Sequence, residues 1–192
     1  MTDWQATLRA DPVMADLLDT HGDVDLTPAA NEFERLVVSI LNQQLSTASA
    51  AAIRDRVFDL LDGTVTPETV LAADTDALRD AGLSTTKVEY VRNAAEAFQE
   101  RDLGRDGLSS HTDEEVVDEL TRIKGIGEWS AHMYLIFTLG REDVLPLGDL
   151  GVRRGLESLY DVDTRAEMRE VADPWRPYRS YGTLYVWRHY ES

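Results

Sequence analysis

Two glycines one residue apart, Gly125 and Gly127, constrain this chain more than any other feature. They join two segments of opposite character. Asp113 to Thr121 reads as a charged helix, and an apolar helix starts near Glu128 and runs to about Leu139. Glycines at such a joint permit positive φ and leave backbone N–H groups uncovered. The N–H groups sit at the start of the second helix, where the macrodipole favours an anion. Downstream, Pro146-Leu147-Gly148-Asp149 places a carboxylate after a proline-glycine kink, followed by Arg153 and Arg154.

The rest of the chain carries helical periodicity and helix caps. Trp4 to Asp19 has Trp4, Leu8, Val13, Leu17 and Leu18 on one side, with Pro12 kinking or restarting it. Phe33, Leu36, Val37, Ile40 and Leu41 form the next stripe, begun by Pro28 or Asn31 and ending in Asn42-Gln43-Gln44-Leu45-Ser46. Ser46 or Thr47 caps a helix over Ala48 to Leu61, whose Ala48, Ala50, Ala51 and Ala52 suit close packing by another helix. Gly63 closes it. Thr66-Pro67-Glu68, Asp74-Thr75-Asp76 and Ser84 start further helices, the last running from Thr85 to Arg101. Val152 to Tyr160, Thr164 to Ala172 and Tyr178 to His189 complete the series. No segment alternates with period two, so the fold class is all-α.

Composition bounds the function. The chain has 192 residues, is 43% hydrophobic and has no cysteine, which excludes disulfides and thiolate metal sites. The apolar runs are too short to span a membrane and the N-terminus does not read as a signal peptide, so a soluble cytoplasmic protein with no membrane partner is expected. The net charge is −17, although nucleic-acid binders are usually basic. Either the protein avoids nucleic acid, or it works in molar salt, where a dense carboxylate surface stays hydrated. Lysine occurs only at Lys87 and Lys124, and acidic residues are scattered without an acidic tail, which favours a halophilic source. In such salt counterion release adds little affinity. Binding must then lean on backbone N–H contacts, a bound ion and stacking.

IKGIGEWSA followed by LPLGDLGVRRG resembles the helix-hairpin-helix, Gly/Pro-rich loop and catalytic aspartate of the helix-hairpin-helix (HhH-GPD) base-excision DNA glycosylases. The pattern is most similar to the 3-methyladenine DNA glycosylase II branch. FERLVVSILNQQLSTASAAAI upstream and WRPYRSYGTLYVW downstream extend the match over most of 33–187. The resemblance implies a two-lobed helical fold with an interlobe cleft. One lobe would come from about 46–138 and the other from 1–45 with 139–192; the β domain that precedes it in the bacterial relative is not expected. It also implies a monomer acting on double-stranded DNA that contains damaged bases. No cofactor is required, and the absence of cysteine removes the iron–sulfur cluster of some relatives.

The resemblance implies roles residue by residue. Asp149 would stabilise the sugar cation formed as the glycosidic bond breaks; from the residues alone it reads first as a helix N-cap, and the two roles are compatible. Trp129 and Trp187 match the tryptophans of the alkyl-base pocket, while Met133 and Leu150 stand where the family has tyrosines. Gln44 matches the wedge that fills the hole left by a flipped base, with Leu45 as the fallback. Lys124, Gly125, Gly127 and Ser130 would meet the DNA backbone, with Lys87 and Arg153 as weaker phosphate candidates. Main-chain carbonyls of Thr121, Ile123 and Ile126 would hold a monovalent cation, K+ or Na+. Tyr181, Tyr185 and His132 are read as structural. Bifunctional relatives carry a lysine two residues after the second hairpin glycine; Trp129 is there, so no Schiff base and no strand cleavage are expected. The expected activity is a monofunctional DNA N-glycosylase that flips out and excises alkylated purines of the 3-methyladenine type, leaving an abasic site. The alternatives are a non-catalytic helix-hairpin-helix DNA-binding module, or removal of another damaged base such as hypoxanthine or 8-oxoguanine.

Overall fold

A computed structural model describes residues 3–43, 45 and 47–192. Among these the secondary structure is helical, with no strand: α1 (Asp3–Leu8), α2 (Pro12–His21), α3 (Glu32–Asn42), α4 (Thr47–Leu60), α5 (Pro67–Ala72), α6 (Thr75–Asp80), α7 (Thr85–Glu100), α8 (Asp113–Thr121), α9 (Glu128–Phe137), α10 (Leu150–Tyr160), α11 (Arg165–Ala172) and α12 (Arg179–Glu191). No helix among them is long and apolar enough to cross a membrane.

The starts follow from the residues that precede them. Asp11 restarts the chain as α2, its carboxylate accepting from the N–H groups of Val13 and Met14. Asn31, not Pro28, caps α3. Thr66, Thr112 and Thr164 each form a reciprocal capping box. After α11 a short 3-10 turn, Asp173–Trp175, takes the place of a plain turn at Pro174.

The chain divides into two compact units, one made of 29–139 and the other of 1–28 with 140–192. The first boundary differs from the expected one near residue 45, because α3 belongs to the middle unit. There its stripe is fully used: Phe33, Leu36, Val37, Ile40 and Leu41 are all buried, and α3 packs on α4, α7 and α9. The alanine stripe of α4 is not a helix seat. Ala50 is buried, but Ala48 and Ala52 are exposed.

The terminal unit is built around α2, α10 and α12, with Leu17, Val152, Leu156, Met168, Trp175 and Tyr185 among its core. Asp11 ties its ends together: Oδ2 accepts from the Tyr160 hydroxyl at 2.7 Å and the Trp175 indole at 2.9 Å. Tyr185 is fully buried and donates to the Gly22 carbonyl, and Tyr181 stacks on Trp4 with ring centroids 4.6 Å apart. Tyr185 is a core residue, and Tyr181 is partly buried against that core.

Candidate active site

Asp149 lies at the end of the Gly/Pro loop and caps α10. It is half-buried. Its Oδ1 accepts from the Val152 N–H at 2.9 Å and from the Trp187 indole N–H at 2.8 Å. A carboxylate at a helix N-terminus is favoured by the macrodipole. Its own N–H donates to the Pro146 carbonyl at 2.9 Å. The N-cap role and any chemical role therefore share one residue.

The loop ahead of Asp149 is sewn to one face of α12. The Ser180 hydroxyl donates to the Arg141 carbonyl at 2.6 Å and accepts from the Val144 N–H at 3.0 Å. The Arg179 guanidinium pairs with Asp143 at 2.6 Å, and Arg176 pairs with the same carboxylate at 2.7 Å. Trp187, two turns beyond Ser180, ends the row at Asp149. Positions three or four apart, and their multiples, share a helix face. One helix face thus follows the loop from Arg141 to the carboxylate.

Gly151 keeps the site tight. A Cβ there would lie 3.2 Å from Asp149 Oδ1, 3.2 Å from the Trp187 ring and 3.3 Å from the Tyr190 ring. Leu150 is 55% exposed and Tyr190 51%, so apolar surface flanks the carboxylate on the solvent side. Tyr190 was not legible as a site residue, since nothing in the chain near it marks it.

In the middle unit the hairpin is α8, the turn 122–127, and α9. Gly125 has φ +104, and a Cβ on it would come within 2.2 Å of the Tyr90 ring. Gly127 departs from the expectation of positive φ. Its φ is −97, and a Cβ on it would meet nothing within 4 Å. Its value is open space rather than backbone freedom. It caps α9 without a side-chain hydrogen bond. The turn's carbonyls are tied back by two side-chain amides: Gln43 Nε2 donates to Gly125 O at 2.9 Å, and Asn93 Nδ2 to Lys124 O at 3.1 Å. Neither amide was singled out in the sequence, because each partner lies far along the chain. A hollow of about 580 Å³ opens here, lined by Asn42, Gln43, Tyr90, the two glycines, Trp129 and Ser130.

The side chains expected at the DNA backbone each have a partner within the protein. Ser130 is 1% exposed and its hydroxyl accepts from Gln43 Nε2 at 3.1 Å, so it braces the hairpin from inside. Lys87 turns inward, donating to the Leu41 carbonyl at 2.6 Å at the end of α3, and burial lowers its pKa. Arg153 grips the carbonyls of Leu147 and Gly148 at 2.9 and 3.0 Å. Lys124 is exposed and paired with Glu89, which raises its pKa. Exposed pairs of this kind are weak and exchangeable.

Of the expected base-pocket residues, Trp187 and Leu150 flank Asp149 in the terminal unit. Trp129 lines the hairpin hollow in the middle unit, and Met133 is buried at 8% exposure on α9. Gln44, the expected wedge, lies outside the described residues. Leu45 is 39% exposed. The Thr121 hydroxyl donates to Val117 O at 2.8 Å, and the Ile123 carbonyl accepts the Ile126 N–H at 3.0 Å. His132 lies half-buried on α9 with Nδ1 unpartnered among the described residues.

A two-glycine hairpin joined to a helix-capping aspartate on a Gly/Pro loop, all in helical surroundings, defines a helix-hairpin-helix protein. The chain belongs to the HhH-GPD superfamily of base excision DNA repair proteins, whose sequence profile matches residues 37–177. DNA-3-methyladenine glycosylase 1 of Schizosaccharomyces pombe is 31% identical over 162 residues, 81% of this chain and 71% of the relative. The chain spans 64% of the length of a Bacillus subtilis relative to which it is 29% identical. A solved DNA-3-methyladenine glycosidase from Bacillus halodurans is 34% identical with a TM-score of 0.85, covering 100% of this chain and 90% of that one. The S. pombe 3-methyladenine DNA glycosylase in complex with abasic DNA is 28% identical with a TM-score of 0.87, covering 97% and 96%.

Proposed function

We propose that this chain is a monofunctional DNA N-glycosylase of base excision repair, which hydrolyses the N-glycosidic bond of alkylated purines of the 3-methyladenine type. The observation that carries this reading is Asp149. A half-buried carboxylate is held by a helix N-terminus and an indole N–H, at the position where the sequence resemblance puts the family's aspartate. A module that only gripped phosphates would gain nothing from a carboxylate there, because like charges repel. The names of the S. pombe and B. halodurans relatives point to the same substrate class.

A base within a duplex is out of reach, so the damaged nucleotide is flipped out and Gln44 fills the gap in the stack. The hairpin holds the backbone: N–H groups at the start of α9 meet a phosphate, and the open side of Gly127 lets it approach. Lys124 exchanges Glu89 for a phosphate oxygen. Trp187 and Leu150, beside Asp149, contact the base, and an indole face suits a cationic alkylpurine through stacking and cation–π attraction. As the bond breaks, the sugar gains positive charge and the base leaves with the bonding electrons. The Asp149 carboxylate stabilises that charge and orients the water that attacks the anomeric carbon. The attacking water gives one proton to the Asp149 carboxylate, which releases it to solvent, and an abasic site with a free neutral base results.

Carbonyl oxygens of Thr121, Ile123 and Ile126 suit a hard monovalent cation, and the Ile123 carbonyl keeps a second lone pair beside its bond to Ile126. Such an ion supplies positive charge to a phosphate without a basic side chain. The two lysines of the chain, Lys87 and Lys124, are bonded to Leu41 O and Glu89. With Trp129 at the position of the bifunctional lysine, strand cleavage is not part of the reaction.

The test uses duplexes carrying one alkylated purine at high potassium, with wild-type and Asp149→Asn protein. Alkali-dependent breaks from wild type, reduced by about 10²–10³-fold in the variant, are expected. Breaks formed without alkali, or equal product from both proteins, would refute the assignment.

A further inference from the structure

We propose that Arg153 is a positioning residue that holds the Asp149 carboxylate in its working orientation, and this rests on the glycosylase reading above. Arg153 lies one turn into α10, the helix that Asp149 caps. One of its terminal nitrogens, Nη1, donates to two successive carbonyls, Leu147 O at 2.9 Å and Gly148 O at 3.0 Å. These are the last two carbonyls before Asp149.

The loop needs such a clamp. Leu147 N–H turns back to Leu145 O at 3.0 Å, and Asp149 N–H to Pro146 O at 2.9 Å, so two tight turns follow one another over Leu145 to Asp149. Those bonds use the carbonyls of residues 145 and 146. Carbonyls 147 and 148 are the next two acceptors along the loop, and both are taken by Arg153. A guanidinium satisfies both, because its N–H donors diverge in a fixed plane. The φ and ψ of Gly148 decide where the Asp149 side chain starts, and a glycine has the widest choice of both. Arg153 removes that freedom without touching the reacting atoms. Val152 N–H and the Trp187 indole hold the carboxylate itself at Oδ1, while Arg153 holds the backbone that leads into it.

A phosphate contact is the competing role for an arginine at this place, and the two roles separate cleanly. Arg153→Ala, Arg153→Lys and wild type are compared by single-turnover excision, by binding to an abasic-analogue duplex across a salt series, and by NMR of the Trp187 indole N–H and of Val152 amide exchange. The expected result for Arg153→Ala is about a 10–100-fold slower single turnover, the size of loss that small misplacements cause. Duplex affinity and its salt slope stay within about twofold of wild type, since no phosphate contact is lost. The Trp187 indole signal moves and Val152 exchanges faster. Arg153→Lys, with one ammonium for two carbonyls, recovers part of the rate. An unchanged turnover rate overturns the proposal, as does a loss matched by weaker binding with a shallower salt slope. An unmoved indole signal with unchanged Val152 exchange does the same. If wild type excises nothing, the glycosylase reading fails, while the two NMR signals still report whether Arg153 clamps the loop.

Discussion

Asp149 shows how one residue serves stability and chemistry at once, and how a substitution can separate them. Asparagine is as good an N-cap as aspartate and offers the same Oδ1 to Val152 and Trp187. Asp149→Asn is therefore expected to melt near the wild-type temperature while losing excision. Asp149→Ala should lose excision and also about 0.5–2 kcal/mol of stability, read by denaturant titration. His132 carries a pH prediction. Burial lowers its pKa, against the smaller opposing pull of Glu128 and Asp113. The unfolded chain therefore takes up this proton first as pH falls. Stability from this residue is complete above the ordinary imidazole value of about 6.5 and is lost below it, down to the depressed folded value. A His132→Leu variant should have a flatter stability curve just below that pH. An unaltered slope in urea titrations would show that the imidazole does not contribute.

At the scale of elements, the hairpin glycines separate into two kinds of requirement. Gly125 combines φ +104 with the Tyr90 ring underneath. Gly125→Ala should destabilise the middle unit by more than about 1 kcal/mol, from the left-handed backbone alone. Gly127 has an ordinary φ and an open side. Gly127→Ala is expected to fold as wild type but bind duplex more weakly, since the new methyl fills the phosphate's approach. Equal affinities for wild type and Gly127→Ala would remove the hairpin from its DNA role. Gln43 joins the end of α3 to this turn through Gly125 and Ser130, and Lys87 holds the same end through Leu41. The segment leading to Gln44 is thereby braced to the hairpin within one unit.

At the scale of the whole molecule, a net charge of −17 on 192 residues repels itself, and salt screens that repulsion. We propose a halophilic protein, whose melting temperature rises by several degrees between dilute buffer and molar potassium chloride. A flat or falling melting curve would count against it. Helix starts and stops were readable along the chain because caps, periodicity and terminators act within a turn or two: Asp11, Asn31, Thr112 and Asp149 each bond an N–H two or three residues away. The family pattern placed Asp149 and the hairpin for the same reason, since each is a short contiguous block. Other features have no local signature. Gln43 meets Gly125 across 82 positions, Trp187 meets Asp149 across 38, and α3 sides with the middle unit rather than the terminal one. That Ser130, Lys87 and Arg153 bond Gln43 and the carbonyls of Leu41, Leu147 and Gly148 was not legible for that reason. A polar side chain's partner is set by which groups packing brings within about 3 Å, and apolar periodicity says nothing about that choice.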